Sequence, residues 1–324
     1  MLASVSTRPP ESINDLIPPQ LSAALDRIDL SSRRTFAGKL QGERRSKARG
    51  RSVEFEDYRQ YVAGDDLRHV DWNVFARLDR LFIKVFLEEQ DLAMHVAIDA
   101  TASMDGGNPN KLLQAQRIAM ALAYLGLVNN NRVVVWVFGA AGLRYLPPTR
   151  GRTGVQRVAA FLLGEVFGGK PEPGAEPTQA PITFTAAMRR IAQARTGKGV
   201  FVLLSDLLVP EGYEQGLSLL AGGWDTTVLQ VLAPGEIDPS TEIDGGGGRI
   251  VIGDLLLTDA ETGRAAEVTV NGDLLARYLK NFERYQQRLA SYLTSRGMTH
   301  VVVRSDADVA ELLLGELRRR GVVK

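Results

Sequence analysis

Between His95 and Arg319 the chain repeats one alternation of short apolar runs and longer amphipathic stretches, and this limits the possible fold more than any other feature. Five runs have the length and the β-branched or aromatic content of strands: His95–Asp99 (HVAID), Arg132–Phe138 (RVVVWVF), Gly199–Asp206 (GVFVLLSD), Thr226–Leu232 and His300–Arg304. Helical periodicity marks Lys111–Val128, Gly154–Val166, Thr183–Ala194, Glu211–Leu220, Asp273–Leu293 and Ala307–Arg319. Strands with no polar face must be covered on both sides, and the helices between them supply crossovers of one hand. The expected fold is α/β, a doubly wound, mostly parallel sheet.

In such sheets ligands sit beyond the carboxyl ends of the strands, where strand order reverses. With His95–Asp99 as first strand and the common order 3-2-1-4-5-6, its neighbour across that crevice is Gly199–Asp206. Both strands end in aspartate. The stretch His95–Ser103 (HVAIDATAS) also spaces Asp99, Thr101 and Ser103 by two, so three oxygen donors converge where the strand opens into a loop. Oxygen-only donors suit Mg²⁺, and two close carboxylates, Asp99 and Asp206, call for a cation or a shared proton between them. The local alternative has Asp99 capping the following turn, with Thr101 and Ser103 bonded to nearby backbone.

One interruption breaks the α/β series. Residues 236–271 contain the Gly245–Gly248 run and two strand-like pieces, Arg249–Leu257 and Ala266–Val270, joined through DAETG. They read as an inserted β-hairpin, expected to pair with the strand Leu81–Leu87 so that arm and insertion build one small β subdomain. The expected division is a segment 1–90, comprising an N-terminal arm and a charged β/loop stretch, and an α/β domain 91–324 carrying the hairpin. Residues 1–17 read as a loosely held arm punctuated by prolines, followed by a short helix Gln20–Ile28. Within Val53–Glu89, the residues Asp65, Asp66, Arg68, Asp71 and Arg77 form either an ion-paired loop network anchored by Trp72 or a partner-binding surface.

Composition removes several alternatives. With no cysteine there are no disulfides, thiolate metal sites or cysteine nucleophiles. A net charge of +1 argues against binding through bulk charge. The basic run Arg33–Arg51 has only Phe36 for base stacking, so it reads as a solvated face and nucleic acid is not an expected partner. No secretory leader pattern and no membrane-length apolar run occurs, so a soluble, cytoplasmic protein is expected. The segment GEVFGGKP (Gly164–Pro171) has Pro171 where a phosphate loop needs Ser or Thr, and it follows a helix. His69, His95 and His300 are scattered, and no nucleophile with a base emerges.

Residues 50–104, GRSVEFEDYRQYVAGDDLRHVDWNVFARLDRLFIKVFLEEQDLAMHVAIDATASM, with their order of GDD, R, DW, AR, EE and a terminal D-x-T-x-S-M, closely resemble the bacterial family called domain of unknown function fifty-eight. The resemblance continues in the TDAETG insertion and covers nearly the whole chain. It implies a von Willebrand factor A-like domain in a non-enzymatic, protein-binding adaptor or chaperone-like partner of a MoxR-type AAA+ ATPase, acting on an unknown client. It also implies an open metal-ion-dependent adhesion site for Mg²⁺ on Asp99, Thr101, Ser103 and Asp206, with Thr101 where the usual pattern has serine. The motif's separate threonine falls on Ile182 by helix phasing, with Thr183 or Thr185 one shift away. The alternative is a metal-dependent phosphate-ester hydrolase using the same aspartates.

Overall fold

The computed structural model describes residues 9–28, 54–62, 70–87, 93–166, 181–195, 199–241, 253–259 and 263–324. Two compact units divide the chain: Met1–Lys39 with Leu92–Lys324, and Leu40–Asp91.

The larger unit opens with α1 (Ile13–Leu16) and α2 (Pro19–Leu25). The smaller holds β1 (Glu54–Gln60), α3 (Trp72–Leu78) and β2 (Phe82–Leu87). The larger then resumes with β3 (Ala93–Ala100), α4 (Lys111–Val128), β4 (Arg132–Gly139), β5 (Gly142–Thr149), α5 (Gly154–Glu165), α6 (Phe184–Gln193) and β6 (Gly199–Ser205). It closes with α7 (Glu214–Ser218), β7 (Asp225–Leu232), α8 (Pro234–Ile237), β8 (Gly253–Thr258), β9 (Ala265–Val270), α9 (Gly272–Ser295), β10 (Thr299–Arg304) and α10 (Val309–Glu311), which runs on as a π-helical stretch over Leu312–Leu317.

Six strands form the central sheet in the order β10-β7-β6-β3-β4-β5, which in chain order is the anticipated 3-2-1-4-5-6. All neighbours pair in parallel except β4 and β5. The fold is therefore α/β with a mixed, mostly parallel sheet. The order needs a strand outside β4, and β5 supplies it although periodicity does not reveal it. Pro147 and Pro148 lie in β5 and remove ladder donors, which an edge strand tolerates and a central strand does not.

Alternation along the strands sorts the core into two layers. Met94, Val96, Ile98, Val200, Val202 and Leu204 face α4 and α5, while Ala97, Trp136, Phe138, Phe201 and Leu203 face α6, α7 and α9. Helix α4 is buried along nearly its whole length, as expected of a helix pressed between the sheet and further helices. Those further helices include α1 and α2. Leu16, Leu21 and Leu25 join the core against α4, Tyr124 donates to Asp26 at 2.9 Å, and Asn129 donates to the Ile28 carbonyl at 2.9 Å. The arm expected to be loose is thus packed from Ile13 onward, because its apolar residues complete the cover that α4 alone leaves open.

Among the described residues, the ladder expected between Leu81–Leu87 and the insertion is not formed. Strand β2 pairs antiparallel with β1, and β8 with β9, each as a two-stranded sheet. The strand β1 (EFEDYRQ) is too polar to announce itself by hydrophobicity, yet β2 takes it as its partner. A direct check on the first helices is Leu25→Ala, which removes a fully buried side chain. It should lower unfolding free energy by about 3 kcal/mol, read as a lower urea midpoint with unchanged slope.

Candidate functional site

At the carboxyl end of the sheet, β3 and β6 lie side by side while the chain leaves them in opposite directions, toward β4 and toward β7. A cleft of about 350 Å³ opens there. Its floor carries Asp99, Thr101, Ser103 and Asp206, and its walls include Ile182, Thr183, Phe184, Leu208, Val209, Pro210 and Glu211. All four anticipated site residues are brought together. Gly139, at the end of β4, is required for this arrangement, because a Cβ there would stand 2.4 Å from the Ala100 carbonyl oxygen as the chain turns into the site.

Register decides which group each aspartate meets. Ile98 pairs with Leu204, so Asp99 is level with Ser205 rather than with Asp206. Asp99 belongs to the alternation of Ala97, facing α6, and Ser205 to that of Leu203, facing the same way. Ser205 Oγ accordingly donates to Asp99 Oδ2 at 2.6 Å. On the other oxygen, the Thr101 amide donates at 3.0 Å and the Thr101 hydroxyl at 2.7 Å. Thr101 gives its one hydroxyl proton to Asp99, so the 3.1 Å contact between the Thr101 and Ser103 hydroxyls is Ser103 donating to Thr101. Three donors thus hold Asp99, which is nevertheless 3% exposed. Burial, and then the negative charge of Asp206, push its carboxyl up to about 6.

Asp206 follows the opposite alternation, that of Val202 and Leu204, and meets α4. Its Oδ2 accepts from Lys111 Nζ at 2.8 Å, and Lys111 also donates to Glu236 Oε1. Lys111 is fully buried and is the first residue of α4. A cation there works against the positive helix N-terminus, and the two carboxylates offset that repulsion. Asp206 Oδ1 accepts the Leu208 amide at 3.0 Å. Between them stands Leu207, a non-glycine residue at φ +59°. That backbone is fixed from both sides: its amide donates to Ser205 Oγ at 3.0 Å, and its carbonyl accepts from Tyr285 Oη at 2.6 Å.

The Mg²⁺ expectation can be tested against this geometry. The donor types are right, but every carboxylate oxygen of Asp99 and Asp206 already has a donor, and Asp206 already has a cation. Thr183 Oγ1 accepts the Ala186 amide as the N-cap of α6, and Ile182 reaches the cleft beside it. Among the described residues no group of three or more His, Asp or Glu is placed to hold a metal. A divalent ion therefore fits these residues poorly.

The remaining candidates have structural roles or lie elsewhere. Asp71 Oδ1 accepts the amides of Asn73 and Val74 as N-cap of α3. Trp72, expected to anchor a network, is instead 59% exposed. Asp65, Asp66, Arg68 and the basic run Arg33–Arg51 fall outside the described residues. His95 is a core residue whose Nδ1 accepts from Trp136 Nε1 at 3.2 Å, with burial pushing it down to about 4. Sequence reasoning missed Ser205 and Lys111. Strand register points to the first, whereas no local pattern points to the second.

The fold and cleft define a doubly wound α/β protein with an acid-floored cleft at its switch point. The family described as Protein of unknown function DUF58 matches residues 57–288, and the chain belongs to that family. An uncharacterized protein of Mycobacterium tuberculosis is 25% identical over 99% of this chain and 97% of its own length, as is one of Mycobacterium bovis. Similar solved structures include the SpRpn10 VWA domain (TM-score 0.35, 12% identity, 70% of this chain and 95% of that one). The pilus adhesin SpaC of Lactobacillus rhamnosus GG is also similar (TM-score 0.39, 11% identity, 73% and 30%). At those scores the fold assignment rests on strand order alone.

The raised Asp99 carboxyl carries a consequence for stability. Between about pH 4 and pH 6 the folded chain keeps a proton on Asp99 that the unfolded chain releases. Stability from this group is therefore lost as pH rises through that window and stays lost above it. Asp99→Asn keeps an acceptor for Thr101 and removes the buried charge. It should raise stability at pH 7.5 by about 2 kcal/mol and flatten the decline between pH 4 and 6, read from urea midpoints across pH.

Proposed function

We propose that this chain is a non-enzymatic protein-binding module that receives a partner's side chain in the cleft between β3 and β6, as adaptor between a MoxR-type AAA+ ATPase and a client protein. The supporting observation is the make-up of the cleft: a buried acid held charged at a cost in stability, beneath apolar walls that include Leu208, which is 44% exposed on a strained turn. Enzymes also bury carboxylates, but this floor offers no nucleophile activated by a base. The Thr101 and Ser205 hydroxyls donate to Asp99 and that of Ser103 to Thr101, and His95 sits in the aromatic core. The ATPase association follows from family resemblance, while the cleft reading follows from the residues.

The test mixes the full chain with the purified MoxR-type ATPase of the same organism and measures binding by interferometry, for wild type and for Leu208→Glu. Binding weakened about tenfold or more by that exposed-site change is expected. Equal binding by both proteins would remove the cleft from the contact, and absence of binding would remove this ATPase as partner. No turnover of p-nitrophenyl phosphate with Mg²⁺ or Mn²⁺ is expected. Turnover that vanishes in Asp206→Ala would establish the hydrolase instead.

A further inference from the structure

The chemistry of the cleft specifies the group that enters it more narrowly than a protein partner in general, and we infer that it is a lysine side chain, its ammonium seated on Asp99, Thr101 and Ser103 and its stem lying against Ile182, Phe184 and Leu208. This rests on the reading of the cleft as a protein-binding site and names the group it recognises.

Three features of the floor and walls converge on that group. The lining holds three acids, Asp99, Asp206 and Glu211, and no Lys, Arg or His. Lys111 meets Asp206 from the α4 side, and Lys111 is not among the cleft-lining residues, so among the described residues the negative charge left without a cation at the floor is that of Asp99. The hydroxyl protons are already directed: Ser103 donates to Thr101 and Thr101 to Asp99, so the lone pairs left on both oxygens can only accept. A floor of acceptors selects a donor. The walls are aliphatic and aromatic, which neither a metal ion nor a small carboxylate would use but a four-carbon stem with a compact terminal charge would.

Arginine fits less well. Its planar fork is strongest when it takes both oxygens of one carboxylate edge. Here Thr101 occupies one oxygen of Asp99 and Ser205 the other. Lysine needs only convergent single acceptors, and these are what the floor presents.

The test uses the full chain with Ile, Leu and Val methyl labels and n-butylammonium chloride as probe, in buffer containing EDTA. Saturable shifts of the Ile182, Leu208 and Val209 methyls are expected, with none from butan-1-ol. Asp99→Asn should weaken the response by about tenfold or more; because that variant is expected to be more stable than wild type, unfolding would not explain a loss. Methyls that stay unmoved by butylammonium would overturn the inference, as would shifts produced by propionate only when Mg²⁺ replaces EDTA. Since Leu208→Glu separately tests whether the cleft belongs to the ATPase contact, failure of the lysine assignment and failure of the cleft reading give different results.

Discussion

Burying a carboxylate is the costly step on which this architecture depends, and the protein meets the cost in two ways at neighbouring strand ends. Asp206 is neutralised by a fully buried ammonium, Lys111, that arrives from the first position of α4. Asp99 receives hydroxyl and amide protons instead, and these fall short of full compensation, because its carboxyl still sits near 6. Breaking a buried ion pair from one side costs roughly 3–5 kcal/mol, whereas apolar replacement of both partners is often neutral or stabilising. Stability alone therefore does not account for the pair. Its consequence is positional: it ties the start of α4 to the end of β6 and leaves Asp99, among the described residues, as the carboxylate at the cleft floor without a cation.

Those ties continue beyond the floor. Glu236, the second carboxylate on Lys111, also accepts the Ala233 amide at 2.8 Å, and its carbonyl accepts from Tyr278 Oη. Glu236 begins the insertion and Tyr278 follows it on α9. Tyr285, about two turns along the same face of α9 from Tyr278, bonds the carbonyl of the strained Leu207. The two sides of the β8–β9 insertion are thus bonded to Lys111's partner and to the turn carrying Asp206, so the insertion and the cleft share their supports.

Most of the larger unit was legible because its elements obey strong local periodicity. Helix α4 runs from Lys111 to Val128 as its pattern predicts, and β6 lies beside β3 as expected. What escaped prediction depends on partners distant in sequence. Strand β5 carries two prolines that make sense only at an edge, and β1 is polar and exists through its pairing with β2. The aspartates at two strand ends were visible, but which group each would face is set by register parity. Lys111 lies 95 residues from Asp206, and as the first residue of an apolar helix it looks like a solvated end until the tertiary structure closes over it. The local reading holds for Asp99, which accepts the Thr101 amide at the turn, but the Thr101 and Ser103 hydroxyls bond Asp99 and each other rather than nearby backbone.

The central claim is that Asp206 is paired with Lys111 from within the chain and that Asp99 is left to meet a cationic side chain, rather than the two acids sharing a divalent ion. Calorimetric titration of MgCl₂ into the wild-type protein and into Asp99→Ala, near neutral pH, tests it most directly. The account predicts two flat traces. A saturable heat in the wild type that disappears in Asp99→Ala would contradict it and restore a metal-dependent site.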